Sequence, residues 1–200
     1  MDWYGGIIGL FEAGGFTMPP LLGCAFLLWY ALGLRQLTLK RGSRLPVRQL
    51  IRAYASGSGP APTGLIDRAA ARGADALARN PHGVPRTMIE EIFNPAREDL
   101  EWGRVLIRSV VAVAPLLGLL GTVTGMIETF RSLADMALFT QGGGIAGGIA
   151  EALLTTQMGL AVSVPGILVG QALDRRQALL EGDLSQMEEL LSAGTREEAA

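Results

Sequence analysis

Three long apolar runs, separated by segments rich in charge, glycine and proline, dominate the chain. Ala13–Leu34 and Ala152–Leu173 each contain 22 residues without a formal charge, and Ser109–Ile127 contains 19. Each run reaches the roughly 20 residues that a helix needs to cross a hydrocarbon core about 30 Å thick. The pattern therefore predicts an all-α membrane protein. Its transmembrane helices are expected over residues 13–34, 105–130 and 148–173.

Shorter helices are expected outside these spans. Residues 1–12 predict an amphipathic helix that lies in the membrane interface. Residues 35–104 form a loop in which the Gly-, Ser- and Pro-rich stretch 55–64 is a flexible break. Apolar residues at helical spacing predict two short helices in this loop, over Leu65–Arg79 and Arg86–Phe93.

The second and third spans are expected to continue as helices beyond the membrane. After a connection over residues 131–147, the third helix runs on into the segment 174–200, because large apolar residues recur there at helical spacing. The charges between Arg97 and Arg104 indicate that the second helix also begins before its apolar part. The acidic residues opposite the apolar face of this segment are interpreted as solvated surface. The residues of its apolar face are Leu173, Leu180, Leu184, Met187 and Leu191.

The distribution of basic residues predicts the orientation of the spans. Between Arg35 and Ile66 there are six basic residues and no acidic one, and two arginines follow the third span. The segment before the first span and the connection between the second and third have few basic residues. By the positive-inside rule, residues 35–104 and 174–200 are expected in the cytoplasm and the N-terminus outside.

Composition narrows the chemistry that is expected. The chain is 49% hydrophobic and 18% charged, with a mean hydropathy of +0.32, which is too apolar for an ordinary soluble domain. Cys24, His82 and Lys40 are each the only residue of their type. A zinc site, a Cys–His nucleophile and a phosphate-binding loop are therefore not expected. We therefore expect that the protein is not an enzyme, and that it binds no metal, no other cofactor and no nucleic acid.

Small residues recur along the second and third spans. At four-residue spacing they let helix backbones approach closely in lipid, so the pattern predicts tight packing between these helices or with other copies. Pro115 and Pro165 predict helix kinks, which neighbouring helices make tolerable in a membrane. The glycines interpreted as packing positions are Gly118, Gly121, Gly125, Gly159, Gly166 and Gly170.

Glu151 is an acidic residue at the head of the third apolar run. A carboxylate within a span costs on the order of 2.5–3.5 kcal/mol, so a site for an ion, a proton or a partner is one explanation. A favourable charge at a helix N-terminus is the other. Thr155 lies about 40° round the helix from Glu151, whereas Thr156 lies on another line with Ser163. Hydroxyls leading from a carboxylate are typical of a wet cavity or proton path.

Two segments resemble the membrane signatures of the ExbB/TolQ/MotA proton-channel family. Residues 114–127 (APLLGLLGTVTGMI) are similar to the second-span signature, and residues 148–165 (GIAEALLTTQMGLAVSVP) to the third. Three spans with a loop between the first two resemble the ExbB/TolQ branch, whereas MotA-type proteins have four. Thr124 stands where many members have tryptophan, and Glu128 is a second acid at the outer end of the second span.

The resemblance implies a subunit of a bacterial inner-membrane complex driven by proton-motive force. The outer side is then the periplasm, where residues 1–12 and 131–147 would lie. In that family several copies, five in the known architecture, surround single-span subunits of the ExbD or TolR type, which act with a TonB- or TolA-type protein. Matched by position, Glu151 is the family's third-span glutamate, Thr122 and Thr156 are its pore-facing threonines, and Pro115 and Pro165 are two family prolines.

Several functions stay open at this point. The first is an ExbB-like subunit that energises outer-membrane transport, and the second is a TolQ-like subunit for envelope maintenance. The third is a membrane scaffold that clusters a partner without conducting protons. A channel requires the hydroxyls, whereas a scaffold requires only the glycines. Because helix geometry places Thr155 closer than Thr156 to the face of Glu151, both threonines are candidates for the pore-facing hydroxyl. Membrane lipid is an expected partner under each reading.

Overall fold

The computed structural model describes residues 14–80, 84–136 and 143–197. In these ranges a 3₁₀ turn at Gly15–Thr17 is followed by six α-helices. The predicted helix over 1–12, His82, the middle of the 131–147 connection and the last three residues lie outside the described residues. The helices are α1 (Met18–Thr38), α2 (Val47–Ala55), α3 (Leu65–Arg79), α4 (Arg86–Glu101), α5 (Arg104–Met136) and α6 (Gly143–Glu197).

Three helical stretches are long and apolar enough to cross a membrane. They are Gly15–Thr38, Arg86–Ala134 and Ile145–Ser192, and the second contains α4 and nearly all of α5. The prediction of an all-α membrane protein with three spanning helices is confirmed for the described residues. The third helix is 55 residues long, so it continues far past the predicted span without interruption.

A break at Trp102 and Gly103 separates α4 from α5. Gly103 has a φ of 74°, a left-handed conformation that glycine adopts readily because it has no Cβ atom. The apolar helix therefore begins at Arg104, and the charged residues before it belong to α4, which differs from the continuous helix expected from the sequence. Helix α4 itself runs through Pro95 to Glu101, well beyond the predicted end at Phe93.

The described residues within the ranges 33–104 and 171–200 form one compact unit, here named the polar unit. The helical face predicted for α6 is confirmed, since all five of its large apolar residues are buried. Helix α3 has the bounds predicted for it. Helix α2 was not predicted, although Val47, Leu50 and Ile51 stand at i, i+3 and i+4 and are buried.

An ion cluster around the buried Arg35 lies in the polar unit. Arg35, only 1% exposed, donates from Nη2 to Asp174 Oδ1 at 2.7 Å and to Gln177 Oε1 at 2.5 Å. Arg104 Nε lies 3.6 Å from the same Asp174 oxygen. Asp174 thus joins the last turn of α1, the first residue of α5 and the middle of α6. A buried charge needs such partners, because leaving one of them unpaired is strongly destabilising.

Three acidic residues of α6, which flank the apolar face rather than stand opposite it, pair with basic residues from other parts of the chain. Besides Asp174, Asp183 accepts from Arg41 Nε at 2.7 Å, and Glu188 accepts from Arg97 Nη2 at 2.8 Å. These carboxylates hold basic residues of the 35–104 segment against α6. Spacing along α6 alone could not reveal partners that come from distant parts of the chain.

The described residues within the ranges 1–32 and 105–170 form the second compact unit, here named the apolar unit. Its helices have many large apolar side chains on their outer faces. Phe26, Leu116 and Leu168 are 72%, 63% and 64% exposed in the isolated chain. Exposed apolar surface of this extent is typical of contact with lipid or with another protein chain.

We predict that Asp174→Asn lowers the stability of the folded chain by about 1–3 kcal/mol, because it leaves the buried Arg35 guanidinium without its counter-charge. The measurement is thermal unfolding of the purified protein in mild detergent. Asp75→Asn is the matched control, since Asp75 pairs with Arg79 on the surface, where both side chains are more than half exposed. Equal unfolding temperatures for the two variants would contradict the role given to Asp174.

Candidate functional site

Helices α5 and α6 touch backbone to backbone in the middle of the apolar unit. A Cβ atom on Gly159 would lie 2.8 Å from the Ala114 carbonyl oxygen and 3.2 Å from the Gly118 Cα atom. One on Gly118 would lie 3.0 Å from the Thr155 carbonyl oxygen. Only glycine fits at either position without moving a helix, because real Cβ atoms rarely approach this closely.

The contact continues towards the N-terminal end of α6. The Thr155 side chain occupies the space that a Cβ atom on Gly121 would fill. One turn further along α5, a Cβ atom on Gly125 would lie 2.6 Å from the Gly148 carbonyl oxygen. Gly148, which the sequence reasoning missed, packs in turn against Gly125 and Thr129. The glycine-rich stretch before Glu151 was the available signal for it.

The same face of α6 contacts the other helices of the apolar unit further along. A Cβ atom on Gly166 would lie 2.7 Å from Leu28 Cδ2 of α1 and 2.8 Å from Val111 Cγ2 of α5. A Cβ atom on Gly170 would lie 3.5 Å from Ile107 Cγ2, which is an ordinary van der Waals distance. The glycines therefore bring three helices into close contact in this unit.

Pro115 and Pro165 both lie inside helices that are assigned without interruption. Each proline lacks a backbone N–H and leaves a carbonyl oxygen of the preceding turn without its helical donor. The kinks expected at these two positions stay predictions.

Thr155 and Thr156 differ sharply in their surroundings. Thr155 is fully buried in the α5–α6 contact, and its hydroxyl donates to the backbone carbonyls of Glu151 and Ala152 at 3.0 and 3.1 Å. Thr156 is only half-buried, and its hydroxyl lies 3.3 Å from the Gly118 carbonyl oxygen across the helix contact. Of the two, Thr156 is the one that a neighbouring molecule or water can reach.

Thr122 lies one turn beyond Gly118, the residue whose carbonyl accepts from Thr156. It is also half-buried, and its hydroxyl donates to the Leu119 carbonyl at 2.6 Å. The hydroxyl of Thr124 likewise donates to backbone carbonyls, those of Leu120 and Gly121. In each case the donor is used within the helix, while the lone pairs of the hydroxyl oxygen stay available as acceptors.

The Glu151 carboxylate faces the start of α1. Its Oε1 atom occupies the place that a Cβ atom on Gly15 would take, and Gly15 has a φ of 55°. Any other residue at position 15 would be strained and would displace Glu151. The bonds from the Thr155 hydroxyl go to backbone carbonyls rather than to this carboxylate. The sequence reasoning missed Gly15, for which the Gly14-Gly15 pair before the first span was the signal.

The site has the character of a packed membrane helix pair with a few partly exposed polar atoms. Within the described ranges no group of three or more His, Cys, Asp or Glu side chains is placed to hold a metal ion. The polar side chains described above are the hydroxyls of four threonines and the Glu151 carboxylate. The threonines are Thr122, Thr124, Thr155 and Thr156. Such groups can bind and pass on protons or water. Together with the three long apolar helices, they indicate a multi-pass membrane protein.

The chain belongs to the MotA/TolQ/ExbB proton channel family, whose model matches residues 63–186. The match includes α5 and most of α6, and with them the glycine contact, the threonines and Glu151. The family resemblance inferred from the two signature segments is thereby confirmed.

Several curated relatives carry transport or Tol-Pal names. An ExbB-like biopolymer transport protein of Synechocystis is 40% identical over 102 residues, which are 46% of this chain and 38% of that protein. Biopolymer transport protein exbB1 of Vibrio cholerae is 37% identical over 93 residues, 44% of this chain and 41% of its own length. Tol-Pal system protein TolQ of Pseudomonas aeruginosa is 30% identical over 137 residues, 64% and 59% respectively. The chain thus matches about two fifths to three fifths of these relatives.

We predict that Gly125→Ala destabilises the protein by about 1–3 kcal/mol, because the added methyl group overpacks the contact with the Gly148 backbone. Gly23→Ala is the matched control, since Gly23 lies within a spanning helix and has open space around it. That control should be neutral or slightly stabilising, as alanine favours helix more than glycine does. Thermal unfolding in detergent measures both. Equal tolerance of the two changes would contradict the close contact.

Proposed function

We propose that this chain is the channel-forming subunit of an inner-membrane complex that couples proton-motive force to the movement of a partner protein. The observation that carries the proposal is the placement of the hydroxyls. Thr156 and Thr122 are partly exposed beside a helix pair that close glycine contact holds rigid, while Thr155 is buried inside the pair. Membership of a proton channel family supports the same conclusion.

In this mechanism the proton path runs along the outer face of the α5–α6 pair, where several copies surround a partner. The hydroxyls of Thr122 and Thr156 donate to backbone carbonyls, so each oxygen presents its lone pairs to water in the path. A proton delivered along such water would neutralise an acidic side chain of the partner. The neutral partner is then free to move, since its attraction to the wall of the path is lost.

Glu151 would act at the outer mouth of this path. Its place near the start of α6, against Gly15, holds a negative charge close to the membrane surface, where its desolvation costs less than at the membrane centre. The carboxylate can attract protons to the path or relay them. We therefore give Glu151 a tuning or relay role, and the main proton-carrying acid belongs to the partner.

The proposed topology follows the positive-inside rule. The N-terminus and the 131–147 connection lie in the periplasm, and residues 35–104 and 174–200 lie in the cytoplasm. The proposed assembly has several copies, five by family likeness, around ExbD- or TolR-type single-span subunits, with a TonB- or TolA-type protein. The large exposed apolar side chains of α5 and α6 support such contacts with other copies and with lipid.

A TolQ-like role in envelope maintenance is the second candidate. It is favoured by the match to TolQ of Pseudomonas aeruginosa, which covers more of this chain than the matches to the ExbB proteins cited above. The path and the residues would be the same in both cases. The partners co-purified with the chain distinguish the two roles.

Thr156→Val and Thr122→Val are each expected to lower proton flux roughly 2- to 10-fold, because a hydrogen bond in the path is worth about 0.5–1.5 kcal/mol. Flux is measured with a pH-sensitive dye in liposomes that contain the complex purified from its native host. Thr129→Val is the control, since its buried hydroxyl donates only to the Gly125 carbonyl. Normal flux in both test variants would favour the scaffold function instead.

Glu151→Gln should reduce transport that depends on proton-motive force while the amount of assembled complex stays normal. Glutamine keeps the size of the side chain and removes its charge, so the loss reports the charge itself. Glu128→Gln removes an exposed carboxylate near the end of α5 and serves as the matched control. The role of Glu151 is excluded if both variants support transport at the rate of the natural protein.

A further inference from the structure

A basic groove of about 1060 Å³ opens on the surface of the polar unit, where α1 ends and α6 continues past its apolar part. Four basic side chains and one carboxylate line it, which gives a formal surplus of three positive charges. The charged residues are Lys40, Arg41, Arg44, Arg176 and Asp183, and the large apolar ones are Leu37, Leu39, Leu179 and Leu180.

Hydrogen bonds and an ion pair hold the loop that lines one side of the groove in place. Arg41 is bound to Asp183 at 2.7 Å, and its guanidinium also donates to the Ser43 and Leu45 carbonyls. Both oxygens of the buried Asp67 carboxylate accept from the Ser43 backbone N–H at 3.0 Å. The loop after α1 is therefore fixed both to α6 and to α3. A ligand would meet a shaped surface rather than a loose loop.

The other three cations are free to bind a ligand. Lys40, Arg44 and Arg176 are exposed and form no ion pair with the residues that the structure describes. They converge on one groove from the loop and from α6. Like charges gathered without an acidic partner repel one another, so an anion in the groove would relieve that repulsion.

Apolar side chains stand beside these cations and are open to the outside. Leu37 is 59% exposed and Leu179 is 72% exposed. Along the chain, exposed Trp29 and Tyr30 precede the groove residues of α1 by about two turns, and such aromatic side chains favour the headgroup level of a bilayer. A surface that combines free cations with exposed leucines at the end of a span suits a ligand with an anionic head and an apolar tail.

We propose that this groove binds the headgroup of an anionic phospholipid. The phosphate group would lie among Lys40, Arg44 and Arg176, and an acyl chain would cover Leu37 and Leu179. Basic pockets at the ends of membrane helices are suited to anionic headgroups for this reason. A free phosphate ion would satisfy the cations but would leave the leucines exposed, so the lipid accounts for both features. The inference does not depend on proton conduction.

The test compares two double variants of the full chain. Arg44→Gln with Arg176→Gln removes two groove cations. Arg48→Gln with Arg175→Gln removes two exposed arginines that lie close by in sequence but do not line the groove. Native mass spectrometry of the protein in mild detergent measures the binding of added phosphatidylglycerol and, separately, of phosphatidylcholine. Thermal unfolding verifies that both double variants fold. If the groove variant does not fold, Lys40→Gln replaces it as the variant that removes a groove cation.

The groove variant should bind phosphatidylglycerol on the order of 25-fold more weakly, about fivefold for each cation removed. The control variant should stay within about twofold of the natural protein, and phosphatidylcholine binding should not change in either. The proposal is overturned by equal losses in the two variants, or by equal binding of the two lipids. Full displacement of the lipid by inorganic phosphate would also overturn it in favour of a small-anion site. The Leu179→Cys variant tests whether the groove faces another copy of the chain. A disulfide between two copies through this cysteine would overturn the lipid proposal and assign the groove to a subunit contact.

Discussion

The arrangement of polar atoms in the apolar unit depends on the contact between α5 and α6 at Gly118 and Gly159. At this point the two backbones are so close that a single methyl group on either glycine would push them apart. The contact fixes the rotation of α6, which turns Thr155 inward and leaves Thr156 at the edge. A helix that could rotate would exchange the roles of these neighbouring hydroxyls, because successive residues point about 100° apart.

Charge has a comparable role in the polar unit. Asp174 joins Arg35 and Arg104, so three parts of the chain that are far apart in sequence meet at one carboxylate. Buried ion clusters add little net stability compared with apolar packing, but they are intolerant of wrong partners, and we take the cluster to specify how the ends of these helices meet. Further along α6, Asp183 and Glu188 likewise form ion pairs with arginines from the 35–104 segment.

Much of this architecture can be predicted from local patterns in the sequence. The remaining features depend on contacts between residues that are distant in sequence. Apolar length predicts the spans, and helical spacing predicts the buried face from Leu173 to Leu191, because both are local properties of the chain. The break at Gly103 was not predicted, since a single glycine among charged residues is equally compatible with a continuous helix. The choice between Thr155 and Thr156 could not be made either, because it depends on which glycines of α5 face them. Gly15 was missed because its role exists only through contact with Glu151, which is distant in sequence.

The central claim is that Thr122 and Thr156 line a polar path outside a closed helix pair, and side-chain accessibility tests it most directly. The chain has one cysteine, Cys24, so a Cys24→Ser background allows single cysteines at positions 122, 155 and 156. The rate of reaction with a charged, water-soluble thiol reagent is then measured in the assembled complex. The account predicts modification of the cysteines at 122 and 156, with loss of proton flux, and protection at 155. Fast modification at 155 with protection at 156 would contradict it.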